Sequence, residues 1–83
     1  MSYRLVYTRS SLRDIKKLDR IVKKKIAKKI KSYSKTPKKH ARVLIDSRIG
    51  SYRWRVGKYR IVFDIEGRDI VILRIRHRRE VYK

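Results

Sequence analysis

The chain reads as an α+β domain ordered β-α-α-β-β-β, with two N-terminal helices packed on one face of a mostly antiparallel four-stranded sheet. Three observations carry that expectation. Apolar residues recur at helical spacing between residues 12 and 33, alternate with polar ones through residues 51–77, and open the chain in a short β-rich run at residues 3–7. Eighty-three residues leave room for one core, so residues 1–83 form a single domain. A chain this short buries only about 60–65% of the surface it exposes when unfolded. Its apolar fraction of 41% suffices because those residues are periodic.

The first strand is "YRLVY", with Tyr3, Leu5 and Tyr7 on one face and Arg4 and Val6 on the other. "TRSSLRD" then starts a helix, with Ser11 as the expected N-cap and Asp14 as its capping-box partner. Leu12, Ile15 and Leu18 make its apolar stripe, and Asp19 is placed to cap a second helix. In that second segment Val22, Ile26, Ile30 and Tyr33 share a face, while Lys23, Lys24, Lys25, Lys28, Lys29 and Lys31 fill the remainder. Pro37 ends the helical region and biases Thr36 away from it. Residues 38–50 form a connector whose apolar piece, Val43-Leu44-Ile45, is expected to plug one end of the core.

Three strands follow. Tyr52, Trp54 and Val56 share a face; so do Tyr59, Ile61, Phe63 and Ile65 after a tight turn at Gly57-Lys58. Gly67 turns the chain into the last strand, where strict alternation puts Val71, Leu73 and Ile75 on one face. Ile70, Ile72, Arg74 and Arg76 then fall on the other. The helices cover one side of this sheet and leave the opposite side open.

Charge is the strongest compositional feature: 27 Lys and Arg oppose 7 Asp and Glu, a formal net of +20. Repulsion on that scale weakens a compact monomer and points to a polyanionic or acidic partner. Thermophile composition is an incomplete account, since thermophile surfaces balance lysine with glutamate and this chain has two glutamates. Residues 1–40 carry 11 Lys and 4 Arg, whereas residues 41–83 carry 2 Lys and 10 Arg. Lysine is a mobile, hydrated point charge and arginine a planar fork suited to phosphate. The first half therefore reads as general attraction and the second as positioned recognition. The lysine-rich helix could lie on anionic lipid, but its apolar stripe is needed to cover the sheet, so a solvated, steering face is expected instead.

The absence of cysteine excludes disulfides, zinc–thiolate sites and a cysteine nucleophile. The N-terminus has no long apolar signal region and no segment nears the ~20 apolar residues of a membrane span. A soluble, cytoplasmic domain with no membrane partner is expected.

Alternation aims Arg53, Arg55, Arg60, Arg74 and Arg76 at the open face, joined by Arg78 if the strand stays regular. Strands about 4.8 Å apart bring these groups into one patch. Like charges opposite each other repel, so the patch reads as a phosphate-binding surface rather than an ordinary solvated face. Arginine is a poor base. Proton-transfer candidates are His77 and the tyrosines, with His40 read as exposed surface. A tyrosine such as Tyr82 among guanidinium groups has its phenolate favoured.

"YRWRVGKYRIVFDI" followed by "HRREVY", with the earlier "KLD…I…I…P" framework, resembles the RelE branch of the RelE/ParE toxin superfamily of prokaryotic toxin–antitoxin modules, and its short archaeal members in particular. The resemblance covers nearly the whole chain. It implies a metal-independent endoribonuclease, without cofactor, that enters the ribosomal A site and cuts the mRNA codon there. The ribose 2′-OH attacks the adjacent phosphate and displaces the next 5′-oxygen. By the same resemblance Arg60 contacts the phosphate and transition state, Arg78 is the catalytic arginine after the last strand, and Tyr82 stacks on a base or removes the 2′-OH proton. Arg74, Arg76 and His77 line the RNA path with Arg53 and Arg55. The last two stand where the best-known members carry lysines, so phosphate binding is retained but proton exchange falls to Tyr82 or His77. The resemblance further implies an acidic antitoxin that wraps the toxin, in a higher-order hetero-oligomer. Two other readings stand beside it: a ParE-type poison of DNA gyrase on the same fold, and a non-catalytic basic RNA- or ribosome-binding protein.

Overall fold

A computed structural model describes residues 3–44 and 50–81. The elements run β1 (Arg4–Tyr7), α1 (Arg9–Lys16), α2 (Arg20–Tyr33), a 3₁₀ turn (Pro37–His40), β2 (Arg42–Val43), β3 (Tyr52–Val56), β4 (Tyr59–Glu66), β5 (Asp69–His77) and a terminal turn of helix, α3 (Arg78–Val81). The sheet order is β1-β5-β4-β3-β2, with β1 parallel to β5 and the other pairs antiparallel. The expected two-helix α+β arrangement is present, with five strands instead of four. The extra strand is the two-residue β2, in which Arg42 pairs with Arg53 and Val43 with Tyr52. Val43 does not plug the core. It is 76% exposed on this sheet edge. Leu44 is half-buried, and Ile45 lies outside the described residues.

Ile26 and Ile30 of α2 press on Trp54, Val56, Ile61, Phe63, Ile70, Ile72 and Ile75, which form the core with the Tyr3, Leu5 and Tyr7 face of β1 beside them. Trp54 stacks at 4.0 Å between ring centroids on Phe63 and donates its indole N–H to the Pro37 carbonyl at 3.0 Å. Truncating a fully buried Trp costs about 3–5 kcal/mol, so this contact fixes where the 3₁₀ turn sits. The six lysines of α2 are exposed, as is His40, whose ring stacks on Tyr33 at 4.4 Å. Among the described residues no helix is long and apolar enough to cross a membrane.

Strict alternation fails in β5. Val62 faces Arg74 while its neighbour Phe63 faces Ile72, so Leu73 is an extra residue, a β-bulge. The bulge reverses the parity of side chains along the strand. Ile70 and Ile72 therefore belong to the core face and not the open one, whereas Val71 and Leu73 leave the core face. Arg74 and Arg76, of the same parity in sequence as Ile70 and Ile72, still face away from the helices. Without the bulge, two isoleucines and two arginines would have to share one environment.

The bulge is held from β1 and α1. Thr8, and not Ser11, caps α1: its Oγ1 accepts from the Ser11 N–H at 3.1 Å. The same hydroxyl donates to the carbonyls of Ile72 (2.9 Å) and Leu73 (3.1 Å). Ser11 is buried and its hydroxyl donates to the Thr8 carbonyl. Asp14 forms no capping box. It is a buried carboxylate that accepts from Arg74 Nε (2.9 Å), Arg74 Nη2 (3.1 Å) and the Ile75 N–H (2.9 Å). Asp19 caps α2 as expected, accepting from the Val22 N–H.

The face away from the helices is covered at its centre. Gly50 packs over Val62 and Leu73, leaving Val62 only 6% exposed, and the Ser51 N–H donates to Asp64 Oδ1 at 2.7 Å. A side chain cannot be added here cheaply. A Cβ on Gly50 would lie 2.5 Å from Val62 Cγ1 and 2.9 Å from Leu73 Cδ1. Val62 is β-branched, buried and stiff at χ1, so it cannot swing away.

Two outcomes are expected. Gly50→Ala loses about 1–3 kcal/mol through overpacking and costs more than Gly67→Ala, where φ is +60° but nothing lies within 4 Å of the new Cβ. Urea melts of the two variants compare them directly. Burial alone would raise the Asp14 pKa, but hydrogen bonds from Arg74 and Ile75 and the charges of Arg74 and Arg76 carry it below its ordinary value. Its contribution is therefore complete above the ordinary carboxylate range and is lost as pH falls through the depressed folded value. Asp14→Asn should lose about 1–3 kcal/mol at neutral pH, with the gap from wild type closing in acid. Equal gaps at pH 7 and pH 2 in denaturant melts would contradict this.

Candidate functional site

Sheet register converts scattered arginines into a lattice. Arg55 of β3, Arg60 of β4 and Arg76 of β5 are direct neighbours in one row across three strands. Arg42, Arg53, Val62 and Arg74 form the next row along the strands. Rows two residues apart lie about 6.6–6.8 Å from each other, and strands about 4.8 Å apart, so the guanidinium groups occupy one small patch. Ser51 and Gly50 cap the Val62 side of the patch, which leaves the Arg55–Arg60–Arg76 row at the accessible end of the sheet.

The members of the row differ in exposure. Arg55 is exposed and Arg76 half-buried, whereas Arg60 at the centre is only 8% exposed. A buried guanidinium is kept in the sheet only with partners, and Arg53, Arg60, Arg74 and Arg76 each interact with another group of the protein. Arg60 is thus held more rigidly than a surface arginine, a property suited to a fixed charge against phosphate. Arg74 is the member the sequence reading placed least well. Its guanidinium is forked onto Asp14, so it braces the strand as well as adding charge.

β5 ends at His77, so Arg78 does not continue the strand. It opens α3 instead, with its N–H donating at 2.6 Å to the carbonyl of Lys58 in the β3–β4 turn. Arg78 is exposed at the same end of the sheet as the arginine row. His77 pairs with Tyr59 and meets its ring edge-on at 5.2 Å. Its Nδ1 accepts the Arg79 N–H at 3.1 Å. In the neutral ring the proton then sits on Nε2, so His77 meets a ligand as a hydrogen-bond donor and not as a base. Tyr82 lies outside the described residues.

The structure therefore assembles Arg53, Arg55, Arg60, Arg74 and Arg76 on one face, with His77 and Arg78 at its end. Asp14, Lys17 and Tyr59 stand beside them and were not singled out from sequence as site residues. They line a cleft of about 300 Å3 with Arg74, Arg76 and His77. Asp14 could have been noticed as the one acid on a basic helix, but nothing in the sequence pairs it with residue 74. Among the described residues no three His, Cys, Asp or Glu side chains cluster as a metal site would require.

Comparison with known proteins agrees with this layout. Over 93% of its length the chain superposes, with a TM-score of 0.84 and 25% identity, on 99% of a chain in the toxin–antitoxin complex RelBE2 from Mycobacterium tuberculosis. A chain in the RelB–RelE antitoxin–toxin complex from Methanococcus jannaschii shares the fold with a TM-score of 0.73 at 22% identity, covering 93% of this chain and 94% of that one. No curated protein sequence matches. The family described as ParE toxin of type II toxin–antitoxin systems matches residues 5–82. The chain belongs to that family, and so is a toxin of the RelE/ParE superfamily.

Proposed function

We propose that this toxin is a ribosome-dependent endoribonuclease that cuts mRNA in the A site. The observation that carries the proposal is the row Arg55–Arg60–Arg76, in register across three strands, with Arg78 at the end of the sheet. Cutting RNA by internal attack requires little beyond alignment and charge neutralisation. O2′ bonds to phosphorus, the P–O5′ bond breaks, and a dianionic phosphorane-like transition state forms between them. Arg60, buried and fixed, would donate to one non-bridging oxygen, and exposed Arg78 to another. Arg53 and Arg55 would hold the flanking backbone. The proton leaving O2′ goes to Tyr82, whose phenolate is favoured by the surrounding cations. O5′ takes a proton as it departs, and His77, presenting Nε2–H, is the nearest candidate donor when its ring is doubly protonated.

The partner follows from charge. Both structural neighbours are named as toxin–antitoxin complexes, and a net charge of +20 suits an acidic antitoxin laid over the arginine face. The lysines of α2 would contribute long-range steering toward ribosomal RNA. A second reading has its own support, because the matching family is described by ParE, the branch that the sequence comparison associates with gyrase poisoning.

The test is a programmed ribosome carrying a defined mRNA with an empty A site, with new 5′ ends mapped by primer extension. A cut inside the A-site codon is expected. Arg78→Ala should lower kcat by about 10²–10³ without shifting the thermal melt, since Arg78 is exposed. Arg55→Ala should mainly weaken RNA binding and reduce the salt slope by about 0.7, the value for one phosphate contact on a single strand. Absence of cleavage by folded, ribosome-bound protein refutes the proposal. Trapped gyrase–DNA cleavage complexes in the same preparation would then establish the second reading.

A further inference from the structure

Past the bulge, β5 has no strand on its outer side, because β1 ends opposite Ile72. α1 does not fill the space completely. The cleft of about 300 Å3 left between the end of α1 and residues 74–77 is lined by Asp14, Lys17, Tyr59, Arg74, Arg76 and His77. That volume is at the lower end of small-molecule pockets and matches one nucleotide better than a folded partner. Three permanent cations face one carboxylate there. That carboxylate is already committed to Arg74 and to the Ile75 N–H, and it is held ionised by them. The remaining charge, on Lys17 and Arg76, has no acid of the cleft set against it.

Arg76 belongs to both places. It is the last member of the Arg55–Arg60–Arg76 row and a wall of the cleft, so the cleft opens about one strand spacing beyond the row. Tyr59 offers an aromatic edge inside, and the neutral His77 ring offers Nε2–H. A cationic wall continuous with a phosphate-binding row, beside an aromatic ring, is the arrangement by which single-stranded nucleic acid is tracked from one residue to the next.

We infer that this cleft is a second RNA subsite, which takes the phosphate of a nucleotide neighbouring the one that is cut, with Lys17 and Arg76 on the phosphate and Tyr59 against the sugar or base. The RNA source rests on the ribonuclease reading above; the nucleotide site itself does not.

The closing experiment titrates adenosine 5′-monophosphate, and separately inorganic phosphate, into ¹⁵N-labelled full-length protein. Saturable shifts are expected at the amides of Lys17, Leu18, Arg76 and His77, with the nucleotide binding more tightly than phosphate. Lys17 is exposed at the end of α1, so Lys17→Glu should keep the wild-type melting temperature. It should weaken nucleotide binding about tenfold, the worth of one charge-assisted hydrogen bond, and Lys17→Arg should restore it. On programmed ribosomes Lys17→Glu should raise KM with kcat retained. Shifts confined to Arg53 and Arg55, or binding indifferent to Lys17→Glu, would overturn the subsite. So would a glutamate-rich peptide that saturates the cleft when the nucleotide does not, which would assign it to a protein partner. A wild-type protein that binds nucleotide here yet cuts no mRNA would refute the ribonuclease reading alone.

Discussion

One hydrogen-bonding arrangement decides how this sheet is used: the clamp of Thr8 and Asp14 on the bulge in β5. Thr8 closes the carbonyls of Ile72 and Leu73, and Asp14 takes the N–H of Ile75 two residues on. A bulge leaves backbone groups out of the ladder, and each such group is costly if buried without a partner. Here the residue that caps α1 and the acid one turn further along it supply those partners. The clamp thus sets the exit of β1, the position of α1 and the parity of β5 together. Through parity it separates an isoleucine face from an arginine face in a strand where both have even numbers.

The arginine lattice works against folding. Arg55, Arg60 and Arg76 are direct neighbours across strands, and like charges so placed repel. A small domain has only about 5–15 kcal/mol of total stability to set against such strain. The opposite face answers it with a core of branched aliphatic and aromatic side chains, Trp54 and Phe63 fully buried at its centre. A bound polyanion or acidic partner would remove the repulsion, and occupancy of the arginine face would therefore stabilise the toxin by mass action.

The two kinds of basic residue divide by backbone support. Lysines are on the solvent side of α2, on long mobile stems that act at a distance and are screened by salt. Arginines are on strands whose spacing and register are fixed, and the central one is buried. Attraction needs only net charge. Recognition of a phosphate needs guanidinium groups that stay in place.

Sequence by itself determined the elements and their polarity. Helical spacing at Val22, Ile26, Ile30 and Tyr33, alternation at Tyr52, Trp54 and Val56, and glycine turns are local properties, set by 3.6- and 2-residue periods and by permitted dihedrals. The arginine patch was legible for the same reason, since alternation alone puts Arg53, Arg55 and Arg60 on one face. Only the tertiary structure decided the bulge at Leu73, the exposed β2 edge, the lid of Gly50 and Ser51, and the pairing of Asp14 with Arg74 across 60 residues. Each depends on partners remote in the chain. A bulge is stabilised by whatever satisfies its freed carbonyls, and no period within "DIVILRIRH" announces that Thr8 will do so.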